Sequence, residues 1–257
     1  GMASPKRLRF LWDRLPGAEG SPPLPLLRFC GQGFTRAFDR LADEAWAAAW
    51  VEKTPGHVYE LDVITRVVPD ARYVHLIREP TDVVASLHRC STKNPRIWGG
   101  PYSIETCVDR WVRAARASES WSQHPDHLLV SYGDLVERPS STLHAVTEHI
   151  GLPFDEQMLE QRTEVAAHLG GNRPWHARLQ GVLQHRPGET AEVVLDDTQL
   201  RQVSEEIERR ARRSIVALAK GTSRPGAAGR RGSSRRRAHA SLRPARNRPP
   251  SAAASRQ

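Results

Sequence analysis

Apolar residues recur along the chain at two different periods, which divides it into strands and helices. Residues 72–77 (RYVHLI) and 127–132 (HLLVSY) are short and rich in branched side chains, which predicts two buried strands. Apolar positions at helical spacing predict helices over residues 34–50, 59–67, 103–123, 139–151 and 197–220. This alternation of strands and helices indicates an α/β protein, a three-layer fold in which helices flank a parallel sheet.

The segment that follows the first predicted strand carries candidate chemistry. Arg78 closes the strand, and Pro80 suits the first position of a helix, where its missing N–H would be unpaired in any case. Ser86 lies about two turns into that helix. Ligands bind at the carboxyl ends of strands in open α/β sheets, and a guanidinium near a helix start suits a phosphate. Residues 90–102 contain two prolines and two glycines and are predicted to form a loop.

Together with Lys53, Thr54 and Pro55 upstream, this unit resembles the sulfotransferase family. Those enzymes move a sulfuryl group from 3′-phosphoadenosine 5′-phosphosulfate (PAPS) to an acceptor. In the family, an arginine at a strand end and a serine eight residues later hold the 3′-phosphate of the nucleotide. Arg78 and Ser86 occupy those positions in REPTDVVAS. The resemblance implies that Lys53 contacts the transferring sulfuryl group.

A base is also needed to remove the acceptor's proton. His57 is the best candidate in this stretch, because histidine titrates near neutral pH. One branch of the family places its histidine two residues after the lysine, where Pro55 stands here, and other members use an upstream glutamate. Glu52 is adjacent in sequence, but we expect it to point away from Lys53 if the turn is extended.

Two later segments also resemble the family. Tyr132 ends the second predicted strand before an acidic turn, and the resemblance implies that it borders the adenine ring. Gly171, Asn172 and Arg173 lie in a glycine-rich segment similar to the family's late loop, which closes over the 3′-phosphate. The implied co-substrate is PAPS. No metal is implied, since no histidine has cysteine or acidic partners at ligand spacing.

The N-terminal part departs from the family's pattern. Sulfotransferases bind the 5′-phosphosulfate with a Gly-x-x-Arg-Ser-Gly-Thr-Thr loop between their first strand and helix, and no such loop precedes Lys53. Residues 8–12 (LRFLW) have the composition of a short strand, and residues 16–25 have that of a linker. The sequence therefore predicts that the first βα unit of a sulfotransferase or P-loop NTPase-like fold is missing or altered. A catalytically impaired or truncated relative that binds nucleotide without turnover stays open, whereas the missing Gly-Lys-Ser/Thr loop excludes a P-loop kinase.

The length and the charge distribution indicate three regions. A chain of 257 residues can bury one sizeable core, and we assign residues 1–33 to an irregular segment, 34–220 to the α/β domain and 221–257 to a disordered Arg-rich tail. That tail holds ten arginines and no acidic residue, so the net charge of +9 falls to −1 for the rest of the chain. A nucleic-acid role is therefore disfavoured for the domain, and the tail remains the alternative route to one.

The remaining composition bears on compartment and substrate. No apolar run is long enough to cross a bilayer, and no signal segment is visible, which favours a cytoplasmic protein. The three cysteines are odd in number and fit a reducing compartment. The expected acceptor is a hydroxyl or amine on a small molecule, a carbohydrate or a lipid, while the oligomeric state stays open.

Overall fold

Two parallel strands lie at the centre of the computed structural model, which describes residues 22–160 and 189–220. Strand β1 (Tyr73–Ile77) pairs with β2 (His127–Ser131), so that Tyr73 lies opposite His127 and Ile77 opposite Ser131. Both predicted strands are confirmed to within one residue at each end. Because parallel strands need a crossover connection and helices supply it here, the α/β class with a parallel sheet is confirmed.

Helices form most of the remaining described residues. In chain order they are α1 (Leu24–Glu44), α2 (Leu61–Val67), α3 (Pro80–Lys93), α4 (Pro95–Trp98), α5 (Ile104–Ser120), α6 (Tyr132–Glu137), α7 (Pro139–Ile150), α8 (Gln157–Glu160), α9 (Glu189–Val194), α10 (Asp197–Arg210) and α11 (Arg213–Ala219). A 3-10 turn at Pro55–Tyr59 precedes α2. The hydroxyl of Ser103 accepts a hydrogen bond from the amide of Thr106 and so caps α5. Gly151, at φ 75°, ends α7.

Four helix boundaries differ from the sequence prediction, and one of them is the end of α1, which lies at Glu44 and not at residue 50. Helix α1 begins well before residue 34, because Pro25 occupies its first turn, where proline is tolerated, and does not act as a linker residue. The predicted loop at 90–102 is wrong up to residue 98, since α3 continues to Lys93 and α4 spans Pro95–Trp98. The single helix predicted over 197–220 is two helices, interrupted where Ala211 adopts an extended conformation.

The hydrophobic core lies between α3, α5 and the three C-terminal helices. Its fully buried side chains come from all of these elements, and they include Val84, Val108, Val203, Ile207 and Ile215. The sequence explains this arrangement, because each helix carries one apolar stripe and buries it against the others. The core therefore joins residues that are far apart in the chain.

The outer side of β1 is open. Val74 and Leu76 are 42% and 52% exposed, although they alternate with the buried His75 and Ile77. No strand among the described residues pairs with the outer edge of β1. A cavity of about 3100 Å³ lies against this edge, and all of β1, part of α1 and the 3-10 turn line it.

A histidine cluster occupies the amino ends of the two strands. His75 Nε2 lies 2.9 Å from His127 Nδ1, and the rings of Tyr73 and Trp121 stack on the His127 ring at 4.3 and 4.6 Å. His127 Nε2 is buried without a hydrogen-bond partner among the described residues. Burial, and then the neighbouring histidines, lower the pKa of His127 from 6.5 to about 4. Burial also lowers the pKa of His75.

Candidate functional site

Arg78 lies at the carboxyl end of β1. It faces Tyr132, the first residue of α6, which follows the neighbouring strand β2. Its guanidinium carbon lies 5.0 Å from the centroid of the Tyr132 ring, and its Nη2 lies 3.2 Å from Oδ2 of Asp82. Its Nε is buried and has no hydrogen-bond partner in the described part of the chain. A guanidinium that lies over an aromatic ring, with one donor that has no partner among the described residues, is suited to an anionic oxygen.

Buried groups on either side fix the position of Arg78. Trp111 of α5 donates its indole N–H to the carbonyl oxygen of Arg78 at 3.2 Å. Asp82 is fully buried, and its Oδ1 accepts a hydrogen bond from the amide of Ala191 in α9 at 3.2 Å. The Asp82 carboxylate therefore contacts both the arginine and a helix that lies far along the chain. A charge-assisted hydrogen bond of this kind orients the guanidinium.

At the start of α3, one of the backbone amides that could bind a phosphate already donates to a side chain. Glu79 accepts a hydrogen bond from the amide of Asp82 at 3.0 Å and another from the hydroxyl of Thr81. This carboxylate therefore already occupies one of the amide donors that a helix N-terminus offers to an anion. An anion at this edge would accordingly be held by Arg78 more than by those amides. Ser86 lies one turn beyond Asp82 on the same face of α3 and is half-buried.

In the turn that carries Lys53, the side chains of His57 and Glu52 form a hydrogen bond. Nδ1 of His57 lies 2.7 Å from Oε2 of Glu52, and the hydroxyl of Thr54 donates to the other oxygen of the same carboxylate at 2.5 Å. Because a carboxylate only accepts hydrogen bonds, Nδ1 carries the proton and Nε2 of the neutral ring keeps its lone pair. Glu52 thus sets the tautomer of His57.

Tyr59 fastens this turn to α5. Its hydroxyl donates to the carbonyl oxygen of Arg110 at 3.3 Å, and the guanidinium of Arg113 lies 4.5 Å from its ring centroid. Arg110 in turn lies over the ring of Tyr102, at 5.0 Å from the centroid. The turn is therefore positioned by the same helix whose Trp111 positions Arg78.

Three of the predicted site residues line the large cavity beside β1. Lys53, His57 and Arg78 all line it. Tyr132 joins them through its contact with Arg78, whereas Ser86 does not line the cavity. The other three predicted residues, Gly171, Asn172 and Arg173, lie outside the described residues, as does the Arg-rich tail at 221–257.

Sequence reasoning missed three residues that shape this site. Glu52 was expected only to avoid Lys53, and its pairing with His57 depends on the 3-10 turn, which folds residue 57 back. Asp82 offered one signal, since it stands four residues after Arg78, at the spacing of a helical ion pair. The contact of Trp111 with the Arg78 carbonyl links distant segments and has no local signal.

The described residues hold neither a metal-binding group nor a membrane-spanning helix. Within 22–160 and 189–220, no group of three or more histidine, cysteine or acidic side chains is arranged to hold a metal ion. None of the described helices combines the length and the apolar character that a membrane crossing requires.

Comparison with known proteins gives one family and one solved structure. A family model described as "Sulfotransferase family" matches residues 25–156, more than half of the chain. The structure titled "Sulfotransferase Domain from the Curacin Biosynthetic Pathway" is similar at 14% identity and a TM-score of 0.42; the match covers 72% of this chain and 66%, just under two thirds, of that one. No curated protein matches the sequence significantly.

Proposed function

The chain belongs to the sulfotransferase family, and on that premise we propose that it transfers a sulfuryl group from PAPS to a hydroxyl or amine acceptor. The acceptor in this proposal is a small molecule, a carbohydrate or a lipid. The family membership supports the reaction type, and the described site residues support the donor. The proposal places Arg78, Ser86 and Tyr132 at the nucleotide and Lys53 and His57 at the transferring group.

The observation that carries the proposal is the state of Arg78. It lies at the carboxyl end of a parallel strand, its guanidinium lies over the Tyr132 ring, and its buried Nε has no hydrogen-bond partner among the described residues. A buried donor without a partner costs on the order of 1–3 kcal/mol, and a phosphate oxygen of the nucleotide would satisfy it. The aromatic ring beside it offers an apolar surface to the adenine. Both interactions would form when a 3′-phosphoadenosine group binds.

His57 and Lys53 supply the chemistry in this proposal. The S–O bond between the sulfuryl group and the 5′-phosphate breaks, and a bond forms from sulfur to the acceptor's oxygen or nitrogen. Nε2 of His57 takes the acceptor's proton, because Glu52 holds the proton of Nδ1. The ammonium of Lys53 stabilises the negative charge that develops on the bridging oxygen and the leaving phosphate. By analogy with phosphoryl transfer, positioning and cationic stabilisation provide most of the rate.

The first test is calorimetric titration with adenosine 3′,5′-bisphosphate. We expect micromolar binding to the full chain and at least a tenfold loss in Arg78→Ala, which removes the half-buried guanidinium. Arg72→Ala is the matched control, because Arg72 pairs with Asp126 at the opposite end of β1 and is expected to leave affinity unchanged. Absence of binding to the wild type, or equal affinity in Arg78→Ala, would contradict the nucleotide site.

The second test separates catalysis from binding. In an acceptor screen with PAPS, Glu52→Gln is expected to lower kcat by roughly tenfold to a hundredfold while bisphosphate affinity stays unchanged, because only the tautomer and orientation of His57 are disturbed. Nitrogen-15 NMR of the imidazole reports the same effect directly, as a shift of the proton from Nδ1 towards Nε2. Bisphosphate binding without turnover on any acceptor would identify the impaired, nucleotide-binding relative instead.

A further inference from the structure

Arg110 of α5 lines the large cavity and is not neutralised by any acidic side chain of the described residues. Its guanidinium carbon lies 5.0 Å from the centroid of the Tyr102 ring, and the group forms neither an ion pair nor a hydrogen bond with the residues that the structure describes. By contrast, Arg78, which also lines the cavity, is paired with Asp82. A guanidinium that lies over an aromatic ring keeps its planar fork of N–H donors, which suits an anion.

The Tyr102 ring that supports this cation is held in place by hydrogen bonds. Its hydroxyl donates to the carbonyl oxygen of Trp98 at 2.6 Å. Its amide donates to the hydroxyl of Ser91 at 3.0 Å, and Nδ1 of His88 lies 2.8 Å from its carbonyl oxygen. The ring is therefore a fixed support, and Arg110 loses less freedom on binding a ligand than a side chain without such a support would.

Trp98 adds a second donor beside Tyr102. Its ring meets the Tyr102 ring edge-on, with the two centroids 6.3 Å apart, and it lines the same cavity. Its indole Nε1 is buried and has no hydrogen-bond partner among the described residues. Buried N–H groups are normally satisfied, so we expect a ligand or a water to accept from it. Arg110 and Trp98 thus both place N–H donors beside one tyrosine.

Arg110 also contacts the turn whose residues are proposed to act on the transferring group. Its carbonyl oxygen accepts a hydrogen bond from the hydroxyl of Tyr59, the last residue of the 3-10 turn that contains His57. Lys53, His57 and Arg110 all line the cavity. Glu52, the acidic residue beside Lys53, is engaged by His57, so its carboxylate does not compete for Arg110.

We propose that Arg110 binds a carboxylate of the acceptor, so that the acceptors are hydroxy acids; this inference rests on the proposed sulfuryl transfer. The acceptor's carboxylate accepts two hydrogen bonds from the planar guanidinium, and its hydroxyl lies at Nε2 of His57. The hydroxyl oxygen bonds to sulfur, its proton passes to His57, and the S–O bond to the 5′-phosphate breaks. One guanidinium matches a monoanion, whereas a phosphate group carries a charge of about −1.5 to −2. The product is a sulfate ester that retains its carboxylate.

Calorimetric titration of the full chain with probe acids, in saturating adenosine 3′,5′-bisphosphate, tests the carboxylate site. The probes are p-hydroxybenzoate and p-hydroxyphenylpropionate, hydroxy acids of different length, and each is compared with its uncharged amide. We expect at least one acid to bind the wild type at least tenfold more tightly than its amide. Arg110→Ala is expected to remove this preference. Arg110→Lys is expected to keep part of it, because lysine retains the charge without the planar fork.

Arg113→Ala is the matched control. Arg113 lies one turn further along α5 and over the Tyr59 ring, at 4.5 Å from its centroid, but it does not line the cavity. We expect the preference for the acid to survive in this variant. Equal affinity of acid and amide in the wild type, no binding of either acid, or a preference that survives in Arg110→Ala would overturn the proposal.

The affinity for the bisphosphate, measured on the same samples, separates this inference from the proposed function. We expect it to be unchanged in Arg110→Ala, and a loss there would assign Arg110 to the nucleotide and overturn the carboxylate site. If the wild type binds no bisphosphate, the proposed function fails, whereas an Arg110-dependent preference for the acid in the nucleotide-free chain would still support the site. With PAPS, Arg110→Ala is expected to raise KM for the acid at least tenfold and to leave kcat, and KM for the amide, unchanged. A general loss of structure would not produce that selective change.

Discussion

Mild acid is expected to destabilise this protein through the histidine cluster at the amino ends of β1 and β2. His127 is 6% exposed, and burial together with His75, His124 and His149 lowers its pKa from 6.5 to about 4. His127 therefore takes up a proton at a higher pH in the unfolded state than in the folded state, so acid favours unfolding. The contribution of His127 to the free energy of unfolding is fully present above about pH 6.5 and is lost as the pH falls towards 4.

The magnitude follows from the two pKa values. At about 1.4 kcal/mol per pH unit, the linkage relation gives a loss of roughly 2 kcal/mol from His127 alone between about pH 7.5 and pH 5. Burial lowers the pKa of His75 and of His149 in the same direction, so both add to the loss. Two kcal/mol is a large part of the stability of a typical domain.

Urea denaturation followed by tryptophan fluorescence measures this loss, and Trp121 is a local reporter because its ring stacks on His127. His127→Phe keeps the stacked ring and removes the titration, so about 2 kcal/mol of the pH dependence is expected to disappear. His144→Phe is the matched control, since His144 stacks on Phe154, away from the cluster. If His127→Phe retained the full wild-type dependence, or if the wild type were equally stable at both pH values, the reasoning would be refuted.

Two further predictions concern local packing and capping, and both are read from thermal unfolding. A Cβ at Gly31 would lie 2.1 Å from Cγ1 of Val67, so Gly31→Ala is expected to lower the free energy of unfolding by about 1–3 kcal/mol. A Cβ at Gly33 meets open space, so Gly33→Ala is expected to raise it by up to about 1 kcal/mol through helix propensity. Equal effects of the two variants would contradict the close contact at Gly31. Asp196 caps α10 by accepting amide hydrogen bonds, so Asp196→Ala is expected to cost about 1 kcal/mol and Asp197→Ala clearly less; the reverse order would contradict the cap.

The sequence predicted the elements whose signals are local. The alternation of branched residues located both strands, and the strand end at Arg78 followed from Pro80 immediately after it. Gly151 marked the end of α7 correctly. These signals act within a few residues, so no tertiary contact is needed to interpret them.

Proline and long-range contacts account for what the sequence did not predict. Pro25 and Pro95 were taken as signs of linker and loop, whereas each lies in the first turn of a helix, and local composition does not distinguish the two roles. In the site, Arg78, Lys53 and His57 all line one cavity, and the roles that the family resemblance implies for them stay predictions. The pairing of Glu52 with His57 was not predicted, because it depends on how tightly the turn closes.

The contact between Asp82 and Ala191 has a consequence for the order of folding. The two residues are 109 positions apart, and α9 packs against α3 in the same core. Contacts of such separation form late, since loop-closure entropy opposes them until most of the chain is available. During synthesis, the residues around Arg78 are therefore made before α9. The contact between Asp82 and Ala191 can form only after that helix has been made. Chaperones are expected to bind the nascent chain until residues near 195 have been added.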